Sequence, residues 1–198
     1  NGDTCYYLVN GVSLEERARY LATRAAQGFN FVRLHTGGNP STAPFAGGTD
    51  LDRFNVDHFK ALDGLLADLK AHDMRAEVIV LNRYRRTIMG NNPAWTSERE
   101  ERYVRYVVSR LAANTHVFLW TIANEYEVYP KGVYADPTAE DNAWTERLGA
   151  LIHRLDPHRH PTTIHPWEQP MMERQQLMAA RFGRSAHIDV LTHQYYGD

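Results

Sequence analysis

The sequence predicts an α/β fold, a (β/α)8 TIM barrel, incomplete, with about six strands and five helices in 198 residues. Three observations predict it. Short apolar runs of strand length alternate with longer segments of helical period along the whole chain. Nothing between them reads as a hairpin, so covering helices join the strands, which then run parallel. Last, the run Val117–Ala123 opens into Asn124-Glu125, and a barrel presents polar groups at the C-terminal ends of its strands. A doubly wound sheet is the competing fold. It carries a Gly-rich phosphate turn after its first strand, whereas Thr36-Gly37-Gly38-Asn39-Pro40 follows the second and leads into a long loop.

A first strand is expected near Tyr6–Val9. Ser13 to Gln27 reads as a helix: Ser13 and Glu16 form a capping box, Leu14, Ala18, Leu21, Ala22 and Ala25 line one face, and Gly28 stops it. Phe29–His35 follows as a buried strand ending in polar groups, then a Gly-, Pro- and Thr-rich loop from Thr36 to Thr49. Phe59, Leu62, Leu65, Leu66 and Leu69 mark a second helix, and Ala76–Leu81 a strand that ends at Asn82-Arg83. Ser97 and Glu100 read as a second capping box, opening a helix with Val104, Val107, Val108 and Leu111 on its core face. After the Asn-Glu strand, Trp144, Leu148, Leu151, Ile152 and Leu155 pattern a fourth helix that Asp156-Pro157 breaks. Thr162–His165 is a short strand, Pro170 suits the first turn of a fifth helix, and Ile188–His193 is the last strand.

An eight-fold barrel needs about 250 residues, so residues 1–198 read as a single partial barrel domain, truncated before its seventh strand. The net charge of -2 gives no electrostatic footprint for nucleic acid or an anionic membrane surface. No apolar stretch approaches the roughly 18 residues of a membrane helix. Neither partner is expected. Cys5 is the only cysteine, which rules out an internal disulfide and a thiolate metal cluster. The sequence carries no signal for oligomeric state.

Strand ends in a barrel converge on one mouth. They bring together Arg33, His35, Asn82, Arg83, Asn124, Glu125, His165, His193 and Tyr195, with Trp95, Tyr126, Tyr129, Trp167 and Tyr196 on adjoining loops. Such a set suits sugar chemistry. A retaining glycosidase uses one carboxyl group to protonate the leaving oxygen and another, about 5 Å away, to attack the anomeric carbon. Amides, guanidinium groups and imidazoles bond hydroxyls, and aromatic faces stack on sugar rings.

Arg33, Asn124-Glu125 and His193-Gln194-Tyr195, after the second, fourth and sixth expected strands, resemble the clan A glycoside hydrolases. More narrowly, several blocks are similar to the apiosidase-like glycoside hydrolases. They are Gly2-Asp3-Thr4, Ser13-Leu14-Glu15-Glu16, Tyr20-Leu21, Arg24–Asn30, and Tyr103–Leu111 leading into Asn124-Glu125-Tyr126. The resemblance implies a (β/α)8 barrel that hydrolyses O-glycosidic bonds of a plant or microbial polysaccharide or oligosaccharide with retention. It implies Glu125 as general acid/base, Asn124 on the sugar 2-hydroxyl, and Arg33 and Tyr195 positioning the nucleophile. His35, Asn82, His165, Trp167 and His193 complete the expected substrate contacts. The clan's nucleophile is a Glu ending the seventh strand, which places it beyond Asp198, so the 198-residue stretch alone is expected to lack turnover. Members of the apiosidase-like group use Asp in the place of Glu125, so their substrate is not carried over. No metal or organic cofactor is expected. No signal segment is read in the chain, and export to the periplasm or the medium is in keeping with the resemblance.

Each residue also has a plainer account. Glu is usually exposed, Arg33 has a structural use as an ion-pair partner, and His193 and Tyr195 have one as strand-end caps. The alternative function is a non-catalytic carbohydrate-binding barrel, or a relic lacking the nucleophile. A third is a metal-dependent hydrolase using His35, His165 and His193, although no H-E-x-x-H spacing occurs. His158-Arg159-His160 belongs to a helix-to-strand turn on the face opposite the mouth, and Arg83, Arg85 and Arg86 to a solvated loop or a substrate contact.

Overall fold

Short polar residues set where the helices begin. The Ser13 hydroxyl accepts from the Glu16 amide at 3.2 Å while the Glu16 carboxylate accepts from the Ser13 amide at 2.8 Å, which closes the capping box. Helix α1 (Leu14–Ala26) follows, and Gly28, at φ +80°, takes the left-handed step that ends it. The computed structural model describes residues 1–38, 42–82, 89–90, 92–126, 137–167 and 171–193, with side chains except at 171–175.

Strands β1 (Gly2–Thr4), β2 (Phe31–His35), β5 (Arg75–Leu81), β6 (Val117–Ala123), β7 (Thr162–Ile164) and β8 (Val190–Leu191) form one sheet in that order, every neighbour parallel. Helices α2 (Val56–Ala71), α3 (Ser97–Leu111), α4 (Ala139–Leu155) and α5 (Met171–Phe182) alternate with them. This is the strand order and alternation of a (β/α)8 barrel, with six of its strands and five of its helices among the described residues. None of these helices is long and apolar enough to cross a membrane.

The period of two along the strands separates a dry face from a polar one. Val32, Leu34, Ala76, Val78, Val80, Trp120 and Ile122 join Phe59, Leu62, Leu65, Leu66, Leu69, Val104, Val107, Val108, Leu148 and Ile152 in the core between sheet and helices. Arg33, Glu77 and Thr121 occupy the other face, where Arg33 and Thr121 both donate to Glu77. Ion pairs tie the helices on the outside: Arg17 to Asp68 at 2.7 Å and Arg110 to Asp63 at 2.6 Å. Below the sheet, buried Asp156 accepts from Trp120 Nε1 at 2.9 Å and from the backbone amides of His158 and His160. Those bonds give the His158–His160 turn its structural account.

Four expectations are corrected. The first strand is Gly2–Thr4, whereas Tyr6–Asn10 is a turn in which Gly11 N–H donates to the Tyr7 carbonyl at 2.7 Å. Buried Leu8 and Val9 gave that turn the look of a strand. A hairpin does occur: β3 (Phe45–Ala46), inside the stretch expected as loop, pairs antiparallel with β4 (Asp50–Phe54), just beyond it. Gly47 and Gly48, at φ +59° and +74°, make its turn, and Phe45 and Phe54 seat it on Tyr103 and Trp95. Helix α3 is capped by Thr96, not Ser97, with Glu100 turned instead to Trp144 Nε1 at 2.7 Å. The last strand is only Val190–Leu191, shorter than the run of apolar residues around it.

Candidate active site

Three adjacent strands build the floor of the site. Arg33 and Glu77 are register partners across β2 and β5, so their side chains leave the same face side by side. Arg33 Nε donates to Glu77 Oε1 at 2.8 Å, and Thr121 Oγ1 on β6 donates to the same oxygen at 2.6 Å. Arg33 then reaches beyond the pair: Nη2 donates to Asn124 Oδ1 at 2.7 Å and Nη1 to the Tyr6 hydroxyl at 3.2 Å. A guanidinium is a planar fork of donors, and here each arm of the fork has a partner.

Asn124 follows the last residue of β6, as Asn82 follows the last residue of β5 and His35 ends β2. These three, with Tyr6, Tyr7 and Gly38, line a cavity of about 140 Å³. Glu125, next to Asn124, is buried and holds φ at +48°. For a non-glycine residue that conformation costs about 1–3 kcal/mol, and such strain is concentrated at functional sites. Beyond the strand, Tyr126 N–H donates to the His165 carbonyl and His165 N–H to the Ala123 carbonyl, both at 3.2 Å, which ties the ends of β6 and β7.

The wall after β2 is braced from two helices. His58 Nε2 donates to the Thr36 carbonyl at 2.7 Å, and the Tyr103 hydroxyl to Thr36 Oγ1 at 3.0 Å. Gly38, at φ +63°, passes so close to the side chains of Asn10 and His58 that a Cβ there would force them to shift. Gly37 N–H donates to His35 Nδ1 at 2.8 Å. Burial, the Arg33 charge and His58 push the His35 pKa down to about 3, so the ring is neutral and its proton sits on Nε2. His165 is pushed down to about 3 as well, by burial first and then by Arg33 and His193. His35 Nε2 and His165 Nδ1 are both buried with no hydrogen-bond partner among the described residues.

A family model for the apiosidase-like catalytic domain matches residues 1–196. The chain belongs to that family. Among solved structures, a Bacteroides vulgatus ATCC 8482 protein assigned as a glycoside hydrolase superposes with a TM-score of 0.66 at 27% identity, over 84% of this chain and 34% of its own. An exo-β-1,4-mannosidase of Opitutaceae bacterium strain TAV5 gives 0.72 at 19%, over 98% and 38%. A family 5 mannosidase from Rhizomucor miehei gives 0.67 at 15%, over 97% and 56%. At such identities the last two speak for the fold. The chain thus spans about a third of the length of the first two. No curated protein sequence matches it.

In this apiosidase-like domain the sequence-derived candidates divide by where the fold puts them. Arg33, His35, Asn82 and Asn124 meet at or beside the cavity, and Glu125 follows Asn124 in the chain but is not among the described residues that line it. His165 lies near enough to Arg33 and His193 to respond to their charge, while the His193 side chain is exposed. Trp167 is part-buried and is not among the described residues lining the cavity. Tyr195, Arg83, Arg85, Arg86, Tyr129, Tyr196 and Asp198 lie outside the described residues. Tyr126 is fully buried against Phe182, and Trp95 packs on Phe45 and Tyr103, so neither stands at the mouth. Among the described residues no group of three or more His, Cys, Asp or Glu side chains is arranged to hold a metal ion, so the His35, His165 and His193 donor set does not assemble.

Glu77, Thr121, Tyr6 and Tyr7 were missing from the sequence-derived set. A single carboxylate in the apolar run Ala76–Leu81 was the available signal for Glu77, because a buried charge demands a partner.

Proposed function

We propose that this domain is the catalytic barrel of a retaining glycoside hydrolase that cleaves O-glycosidic bonds in a plant or microbial polysaccharide or oligosaccharide. Glu125 is its general acid/base, and residues 1–198 make one partial barrel domain whose nucleophile is supplied by sequence beyond them. The observation that supports this is the Arg33–Asn124 bond, which holds Asn124, the residue before Glu125, at the lining of the cavity. Family membership supports it, as do structural neighbours solved with Manβ1-4GlcNAc and with mannosyl-fructose.

In this mechanism Glu125 protonates the leaving oxygen as the nucleophilic carboxylate forms a bond to the anomeric carbon. Glu125 then takes a proton from the water that releases the glycosyl-enzyme. Asn124 bonds the 2-hydroxyl, where a hydrogen bond strengthens as charge develops on the ring. Arg33 holds Asn124, His35 offers its Nε2 proton and Asn82 its amide to further hydroxyls, and Tyr7, 53% exposed, gives an aromatic face at the entrance. His165, Trp167, His193 and Tyr195 are assigned to the rest of the cleft.

The second reading, a carbohydrate-binding barrel without a nucleophile, draws on the state of Glu77. That buried acid is held by Arg33 and Thr121 and is not among the described residues that line the cavity, so it does not stand in for the nucleophile. Proton NMR of the first-formed sugar that the full-length protein releases from a panel of aryl glycosides separates the two. Release of the retained anomer is expected. An inverted first product would overturn the retaining mechanism, and saturable sugar binding without turnover would put the binding reading ahead.

A further inference from the structure

The ring of His35 is held from two sides. Gly37 N–H donates to His35 Nδ1 at 2.8 Å, and the Tyr6 ring stands nearly perpendicular to it at 6.2 Å between centroids. A pegged turn presents that amide. Thr36 N–H donates to the Ile79 carbonyl at 3.1 Å and Thr36 Oγ1 to the Val80 carbonyl at 2.7 Å, which fixes the turn to β5. Glycine at 37 lets the amide come this close, because a Cβ there would lie 2.8 Å from His35 Cε1 and 2.9 Å from Nδ1.

This contact decides what the ring can do. An imidazole nitrogen that accepts a hydrogen bond carries no proton, so the single proton of the neutral ring sits on Nε2. A second proton would set an N–H against the Gly37 N–H, and burial and the Arg33 charge oppose it as well. Nε2 is thus a donor only. The residue is 4% exposed, its ring lines the cavity together with Tyr7 and Asn124, and Nε2 has no hydrogen-bond partner among the described residues. A buried donor without an acceptor is unfavourable, and a ligand oxygen in the cavity would satisfy it.

We propose that His35 is a specificity-determining residue: its Nε2–H takes one oxygen of the bound sugar as acceptor and selects for glycosides that carry that oxygen. The identity of the ligand rests on the glycosidase reading, whereas the donor state of the ring rests on the Gly37 contact. Because Nε2 cannot accept, it reads a lone pair and is indifferent to the hydroxyl's own hydrogen. Fluorine in place of that hydroxyl keeps an acceptor, and hydrogen does not. His35 moves no proton in the reaction.

The test measures dissociation constants on the full-length protein. The probe is the monosaccharide released fastest from a panel of aryl glycosides or, if none is cleaved, the tightest-binding sugar of that panel. Its monodeoxy and monodeoxyfluoro forms are compared at each ring position. At one position, deoxygenation is expected to weaken binding about 5- to 100-fold, the range for stranding a buried donor. The fluoro form at that position is expected to bind more tightly than the deoxy form. In His35→Phe, which keeps an aromatic ring and loses the donor, the penalty there is expected to fall below about 2-fold. A ¹⁵N–¹H spectrum of the His35 ring in the ligand-free protein is expected to place its proton on Nε2. That spectrum and the fluoro comparison need no variant, and they decide the matter if His35→Phe fails to fold. A proton on Nδ1, a fluoro form no better than the deoxy form, or a penalty that His35→Phe leaves unchanged would each overturn the role. Cleavage without a His35-dependent penalty would strike the role and leave the glycosidase reading standing. The penalty without cleavage would strike the glycosidase reading and leave the role. A protein that binds no sugar of the panel would strike both.

Discussion

Arg33 and Asn124, 91 residues apart in the sequence, meet at 2.7 Å between a guanidinium arm and an amide oxygen. The contact joins β2 to the end of β6 and makes Arg33 a member of two systems. Its Nε belongs to a buried ion pair with Glu77, and its Nη2 holds Asn124, which lines the cavity.

The pair predicts a particular pattern of stability. Arg33→Met leaves Glu77 buried without its cation and is expected to cost about 3–5 kcal/mol. Adding Glu77→Leu to Arg33→Met is expected to restore most of that, because two apolar groups need no partner. Urea unfolding of the two variants beside the wild type measures it. A double variant less stable than the single one would show that the pair is not what sets the cost.

The buried imidazoles predict an acid-side loss of stability. His35 and His165 have folded pKa values near 3 against about 6.5 when unfolded. Between those values the unfolded chain binds more protons, so their contribution is full above about pH 6.5 and shrinks as pH falls toward 3. Each contributes a slope of about 1.4 kcal/mol per pH unit within that window. Carboxylates held low, such as Asp156 and Asp189, add to the loss only below about pH 4. Unfolding free energies at pH 7 and pH 5 are expected to differ accordingly, and His35→Gln is expected to flatten the difference.

Gly38 predicts a strained substitution at the cavity wall. A Cβ there would lie 2.6 Å from Asn10 Oδ1 and 2.8 Å from His58 Cε1, at a φ of +63°. Gly38→Ala is expected to destabilise by at least about 1 kcal/mol, read as a lowered Tm. An unchanged Tm would mean that the wall yields.

Tyr7 predicts the opposite profile. It is 53% exposed beside the cavity, so Tyr7→Ala is expected to leave Tm unchanged. Loss of an aromatic face worth about 0.5–1.5 kcal/mol is expected to raise KM by about 2- to 10-fold, with Tyr7→Phe close to wild type. Steady-state kinetics on an aryl glycoside decides it.

Much of the scaffold was legible because local chemistry and burial agree. The capping box at Ser13 and Glu16 formed as read, and the run Val117–Ala123 became β6 with its bounds unchanged. Strand-end residues such as His35, Asn82 and Asn124 were legible because a parallel sheet aligns its C-terminal ends. What stayed hidden depended on distant partners. Gly2–Thr4 has little strand character of its own and pairs because Phe31–Arg33 offers an edge. Glu77 stands out as a lone carboxylate in an apolar run, but its partner, Arg33, lies 44 residues earlier and no local pattern links the two. The Phe45–Phe54 hairpin was masked by strands too short to show a period, although Gly47-Gly48 marked its turn.

The most direct test replaces Glu125 by Gln in the full-length protein and compares two leaving groups. A dinitrophenyl glycoside departs without a proton, whereas a sugar leaving group needs one. Glu125→Gln is expected to lower the rate of bond cleavage by about 10²- to 10⁴-fold for the sugar and far less for the dinitrophenolate. Equal, undiminished cleavage of both would contradict the account, because the acid at the end of β6 would then have no part in the chemistry.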